Sequence, residues 1–231
     1  MEVNPLRATP ELFAEYLSFL VSFAWKPQEA LHPYVQKKEV DKKLFSFALL
    51  ATGLCWVILL VARAFGAAED KSFIVGVVGS LPSWAIPVLA VLLVLLVSVV
   101  FHVVATTLVP LWVKLKPRSS GAPTGPHLGG SIWDSVNAAF GFSAFYLPLF
   151  FVGYAAMLLA HPNLEQTTSL IVFLSIMIVL FGALLYYFPS ALAGTHPNTS
   201  FLQAGSALTF SMTVLVVIRI VVEKIINMLG L

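Results

Sequence analysis

Few side chains in this sequence have the type and spacing to do chemistry, and His102 is the first of them. It stands between Phe101 and Val103, with Thr106 and Thr107 a turn further on, inside an otherwise apolar run. An ionisable ring in hydrocarbon is expensive, so such a residue is by default a proton relay or a ligand site. The plainer reading is that it hydrogen-bonds Thr106 or a neighbouring helix and orders the bundle. That reading is preferred, because Glu223, which Arg219 pairs, is the one carboxylate expected inside the apolar runs, and none is left to act as a relay partner. Arg219 and Glu223, four residues apart near the end of the chain, predict a wet ion pair contributing less than about 1 kcal/mol. Turned into a helix bundle, Arg219 would instead be a functional charge, and with His102, Asn137 and Thr209 it would mark a polar path.

The tripeptide His-Pro-Asn occurs at His161, Pro162 and Asn163 and again at His196, Pro197 and Asn198. Paired histidines suggest a metal, but each tripeptide has the form of a turn followed by a helix cap, and capping is the stronger reading. Cys55 is the single cysteine, which excludes an intrachain disulfide and a thiolate cluster. There is no Gly-rich phosphate loop, no His-Glu-x-x-His and no Gly-x-Ser-x-Gly elbow. The expectation is therefore no catalytic residue, no metal and no cofactor.

The elements that must carry these residues are apolar helices. Hydrophobic residues make up 59% of the chain and charged residues 10%, a composition that needs lipid as its solvent. The mean hydropathy of +0.92 says the same. Crossing the hydrocarbon layer takes about 20 apolar residues. Five windows qualify, at 44–65, 84–113, 137–160, 168–188 and 206–228. The predicted fold is an all-α integral membrane protein with five transmembrane helices, in a domain over 44–231 with a cytoplasmic linker at 114–136.

Residues 1–43 form a cytoplasmic N-terminal segment in this reading. It lacks a secretory signal and is expected to be retained. Thr9, Pro10 and Glu11 predict a helix start, and Leu12, Tyr16, Phe19, Leu20 and Phe23 then recur at helical spacing opposite Glu11, Glu15, Ser18 and Ser22. This amphipathic helix is placed along the membrane surface with Trp25 at headgroup level, in contact with lipid or with the protein's own bundle. Pro27 and Pro33 make 26–34 an irregular hinge. Lys37, Lys38, Lys42 and Lys43 stand just before the first window and place this end in the cytoplasm. With that orientation nine of the 13 lysines and arginines lie inside, and the C-terminus lies outside. The small net charge of +2 gives no reason to expect nucleic acid.

The central stretch begins with a turn at Gly129 and Gly130, a cap at Ser131, and Asp134 in the first helical turn. Further along, Pro148 removes an N–H and leaves a backbone carbonyl at membrane depth that something must satisfy. Gly141 and Gly153 allow another helix to come close. Gly129, Gly130, Ser131, Trp133, Phe140, Tyr146 and Pro148, within a five-span pattern that follows an interfacial segment, resemble the Yip-one domain (YIPF-like) membrane proteins of short prokaryotic type. The resemblance implies the five-span topology, and an apolar bundle with polar groups only at its edges then leads to the expectation of a non-enzymatic scaffold or accessory subunit of this type in a prokaryotic inner membrane. Its partners would be membrane lipids and other membrane proteins, or a second copy of itself. A small transporter with a path near His102 and Arg219, and a cofactor-free subunit of a membrane enzyme, are the alternatives.

Overall fold

The computed structural model describes residues 5–34, 39–64, 85–107, 131–160, 166–195 and 201–229. Among them there is no strand. The helices are α1 (Pro5–Trp25), α2 (Pro27–Leu31), α3 (Lys42–Ala64), α4 (Ala85–Thr107), α5 (Ile132–Ala160), α6 (Gln166–Thr195) and α7 (Phe201–Leu229), with a 3₁₀ turn at His32–Tyr34. Among the described residues three segments are long and apolar enough to cross a membrane: Lys42–Ala62, Ile132–Met157 and Ile171–Thr195. α4 holds a shorter apolar stretch, Pro87–Val103.

α5 is the centre of the bundle and packs on α3, α4 and α6. It runs parallel to α3, since Cys55 and Leu59 share a buried cluster with Leu147 and Phe151, and Ala62 pairs further along with Ala155. Its direction against α6 is opposite. A Cβ on Gly153 would lie 3.1 Å from Ile176 and from Leu180, whereas Phe142, earlier on α5, stacks at 4.6 Å on Phe188, later on α6. Tyr186 against Phe201 brings the start of α7 to the end of α6.

α1 is a full member of this packing. Tyr16, Phe19 and Phe23 are buried and belong to the main core cluster, with Phe19 on Phe47 of α3 and Phe23 on Phe145 of α5 and Tyr187 of α6. The inward row is the one marked by sequence periodicity. The outward surface is divided, however: Phe13, Leu17, Val21 and Trp25 form an exposed apolar row beside the polar row of Glu15, Ser18 and Ser22.

Three local expectations are corrected. α1 starts at Pro5 and contains Pro10, instead of starting at Thr9. Beyond the extended Lys26, the stretch 27–34 is helical, not irregular, because Pro27 sits at the first position of α2, where its missing N–H is not needed. α6 passes through Pro189 to Thr195, beyond the expected end at 188. Its last turns are held by neighbours: Pro189, Ser190, Ala191 and Leu192 are all buried, and a Cβ on Gly194 would lie 2.7 Å from the Gln28 backbone.

Candidate functional site

At Pro148 the helical ladder of α5 lacks the N–H that would reach the carbonyl four residues back, that of Ala144. The hydroxyl of Tyr16 on α1 donates to this carbonyl at 2.8 Å, in a buried position. Burial holds the Tyr16 phenol above its ordinary pKa, so it remains a donor. A second tyrosine closes the other end of the same helix: Tyr187 of α6 donates to the carbonyl of Ala24, in the last turn of α1, at 3.0 Å. A third, Tyr146 of α5, donates to Leu180 of α6 at 3.1 Å.

The start of α3 is tied down by a different device. Asp41 accepts from the N–H groups of Lys43 and Leu44 at 2.9 and 3.1 Å, an N-cap immediately before the lysines. Asn137 is fully buried on α5 and holds that cap from behind. Its Oδ1 accepts from the Asp41 N–H at 2.9 Å, and its Nδ2 donates to the Glu39 carbonyl at 3.3 Å. Asn137 thus stands at a helix clamp.

Asp134 closes the first turn of α5. Its Oδ2 accepts from the Ser131 N–H at 2.7 Å and from the Ser131 hydroxyl at 3.2 Å, the acidic half of a capping box. The carboxylate is 3% exposed, and its charge is within electrostatic reach of His102 on α4. The segment Ile132–Met157 includes Asp134, so a further carboxylate does occur in an apolar stretch, contrary to expectation. His102 itself is half-buried on α4.

The remaining polar positions do not join this group. Arg219 and Glu223 are exposed on α7, and Thr209 is exposed with its hydroxyl donating to the Gly205 carbonyl of its own helix at 2.9 Å. Gly129, Gly130 and both His-Pro-Asn tripeptides lie outside the described residues. Among the described residues no group of three or more histidine, cysteine or acidic side chains could hold a metal ion.

Beside the tyrosine seal lies a groove of about 570 Å³ between α1, α2, the 3₁₀ turn and the start of α3. Phe19, Tyr34, Phe47 and Trp25 give it aromatic surface. Two ion pairs line it, Lys43–Glu15 at 3.1 Å and Lys26–Glu29 at 2.9 Å. In the sequence alone these lysines are topology signals, and Glu15 lies on the polar row of a surface helix. The Asp-Lys-Lys-Leu order at 41–44 does carry an N-cap signal, whereas nothing local to Tyr16 announces its partner 128 residues away.

The length and apolar composition of three helices define a helical membrane protein. No protein-family model matches the chain, and neither a curated protein nor a solved structure is detectably similar to it.

Proposed function

We propose that this chain is a non-enzymatic membrane scaffold or accessory subunit of the short Yip-one type. It crosses a prokaryotic inner membrane five times, with its N-terminus cytoplasmic and its C-terminus outside. α3 to α7 are 23 to 30 residues long, and at about 1.5 Å per residue each reaches the thickness of the hydrocarbon layer. The starts of α3 and α5 and the end of α6 gather on the side where α1 and α2 dock.

The observation that carries the reading is how the buried polar groups are used. Tyr16, Tyr146, Asp41 and Asn137 all bond to backbone of another helix or to a helix end, as structural ties do. The surface left for partners is apolar: Ile171, Leu174, Ile178, Val179 and Phe181 of α6 are each about half exposed or more. Such a surface recognises lipid tails and other membrane helices. Extraction in mild detergent should yield a particle larger than one 25.1 kDa chain with its micelle. A strictly monomeric particle under native-like conditions overturns the reading.

The electrostatic influence of the buried Asp134 carboxylate on half-buried His102 supports a second reading, a small transporter whose path passes His102. In that case His102→Ala abolishes ion flux into liposomes, while the scaffold reading expects no flux from either protein.

A further inference from the structure

The groove beside the tyrosine seal carries both signs of charge on an aromatic surface. Glu15 and Lys43 meet across it at 3.1 Å and Lys26 and Glu29 at 2.9 Å, with all four side chains between 51% and 70% exposed. Ion pairs this wet are held weakly, so either member can exchange its partner for an outside group of the same sign. We propose that the groove binds the headgroup of a zwitterionic phospholipid with a primary ammonium, its phosphate on Lys43 and Lys26 and its ammonium on Glu15 and Glu29.

The charge balance selects this class. Two lysines against two glutamates leave no net charge to favour an anionic headgroup, yet supply a partner for each end of a zwitterion. A primary ammonium has three N–H donors, and the hydroxyls of Ser18 and Ser22 on the same wall add acceptors to the two carboxylates. A trimethylated ammonium has no donor for them. Tyr34 and Trp25 line the same groove, and its volume of about 570 Å³ falls within the range of about 300–1,000 Å³ usual for ligand pockets.

The source is lipid, not a free phosphoamine. Trp25 lines the groove and is also the last member of the outward row Phe13, Leu17 and Val21, so an acyl chain leaving the groove meets apolar surface. The assignment rests on the reading that this lysine-flanked end lies at the membrane surface.

Native mass spectrometry of the full chain, released from nanodiscs containing equal parts phosphatidylethanolamine, phosphatidylcholine and phosphatidylglycerol of matched chains, tests it. Phosphatidylethanolamine should be retained over both others by about tenfold, the factor equivalent to about 1.4 kcal/mol. Lys43→Gln with Glu15→Gln should abolish that preference at an unchanged melting temperature, and Glu29→Gln alone should weaken it. Preferential phosphatidylglycerol overturns the proposal in favour of a simple basic patch. Equal retention of the three lipids, insensitive to the substitutions, overturns it in favour of annular lipid only. Displacement of bound lipid by soluble phosphoethanolamine at comparable concentration overturns the lipid assignment. A chain that stays dispersed without detergent or lipid defeats the membrane reading itself, a result distinct from all of these.

Discussion

The hydroxyl of Tyr16 and the ring of Pro148 form one unit, although the two residues never bond to each other. The proline frees the Ala144 carbonyl and the tyrosine takes it. Tyr16→Phe keeps the buried ring but orphans the carbonyl, which is expected to destabilise the protein by about 1–2 kcal/mol. Pro148→Ala returns an N–H to that carbonyl, so Tyr16→Phe in that background should be nearly neutral. A double-mutant cycle of thermal unfolding in detergent checks this, and additive effects would separate the two residues. pH supplies a second handle. With its pKa raised by burial, the phenol's contribution is complete below the unfolded value near 10 and is lost as pH rises above it toward the folded value. The alkaline fall in stability should therefore begin near pH 10 and be shallower in Tyr16→Phe. For Asn137, which serves two backbone groups at once, replacement by Ala leaves the Asp41 N–H and the Glu39 carbonyl without it and should cost about 1–3 kcal/mol.

Among the helices, the docking of α2 depends on two glycines that differ in what a side chain would meet. At Gly194 an added Cβ would come to 2.7 Å from the Gln28 Cα, which is backbone and cannot turn away. At Gly141 it would come to 2.5 Å from a methyl of Leu31, which can. Gly194→Ala is therefore expected to lose about 1–3 kcal/mol and to free α2 for proteolysis, whereas Gly141→Ala should be milder and be rescued by Leu31→Ala. Limited proteolysis of the two variants distinguishes them. The residues 27–34, where two prolines suggested an irregular hinge, became a helix and a 3₁₀ turn because one proline starts α2 and the packing on α6 holds the rest. In the same way Pro189 did not end α6, since the turns beyond it are buried. Proline signals were legible in the sequence as positions of backbone need, but whether each stops a helix or is absorbed depends on the neighbours.

For the molecule as a whole, the arrangement predicts that the starts of α3 and α5 are reached from one side of the membrane. Cys55 is buried, so single cysteines can be introduced after Cys55→Ala with little loss from background labelling. A cysteine in place of Lys43 should react with an impermeant maleimide only from the cytoplasmic side, and one in place of Glu223 only from outside. Labelling of both from the same side would remove the five-crossing topology.

Composition alone determined that the chain needs lipid, and periodicity picked out the inward row of α1, because both depend only on which residues are apolar and how often they recur. Pro148 likewise announced an unsatisfied carbonyl from covalent chemistry. What satisfied it and how Asn137 was used were decided by the tertiary structure. Both join residues far apart in the chain, and a hydrogen bond between distant residues leaves no trace in the local order of either partner.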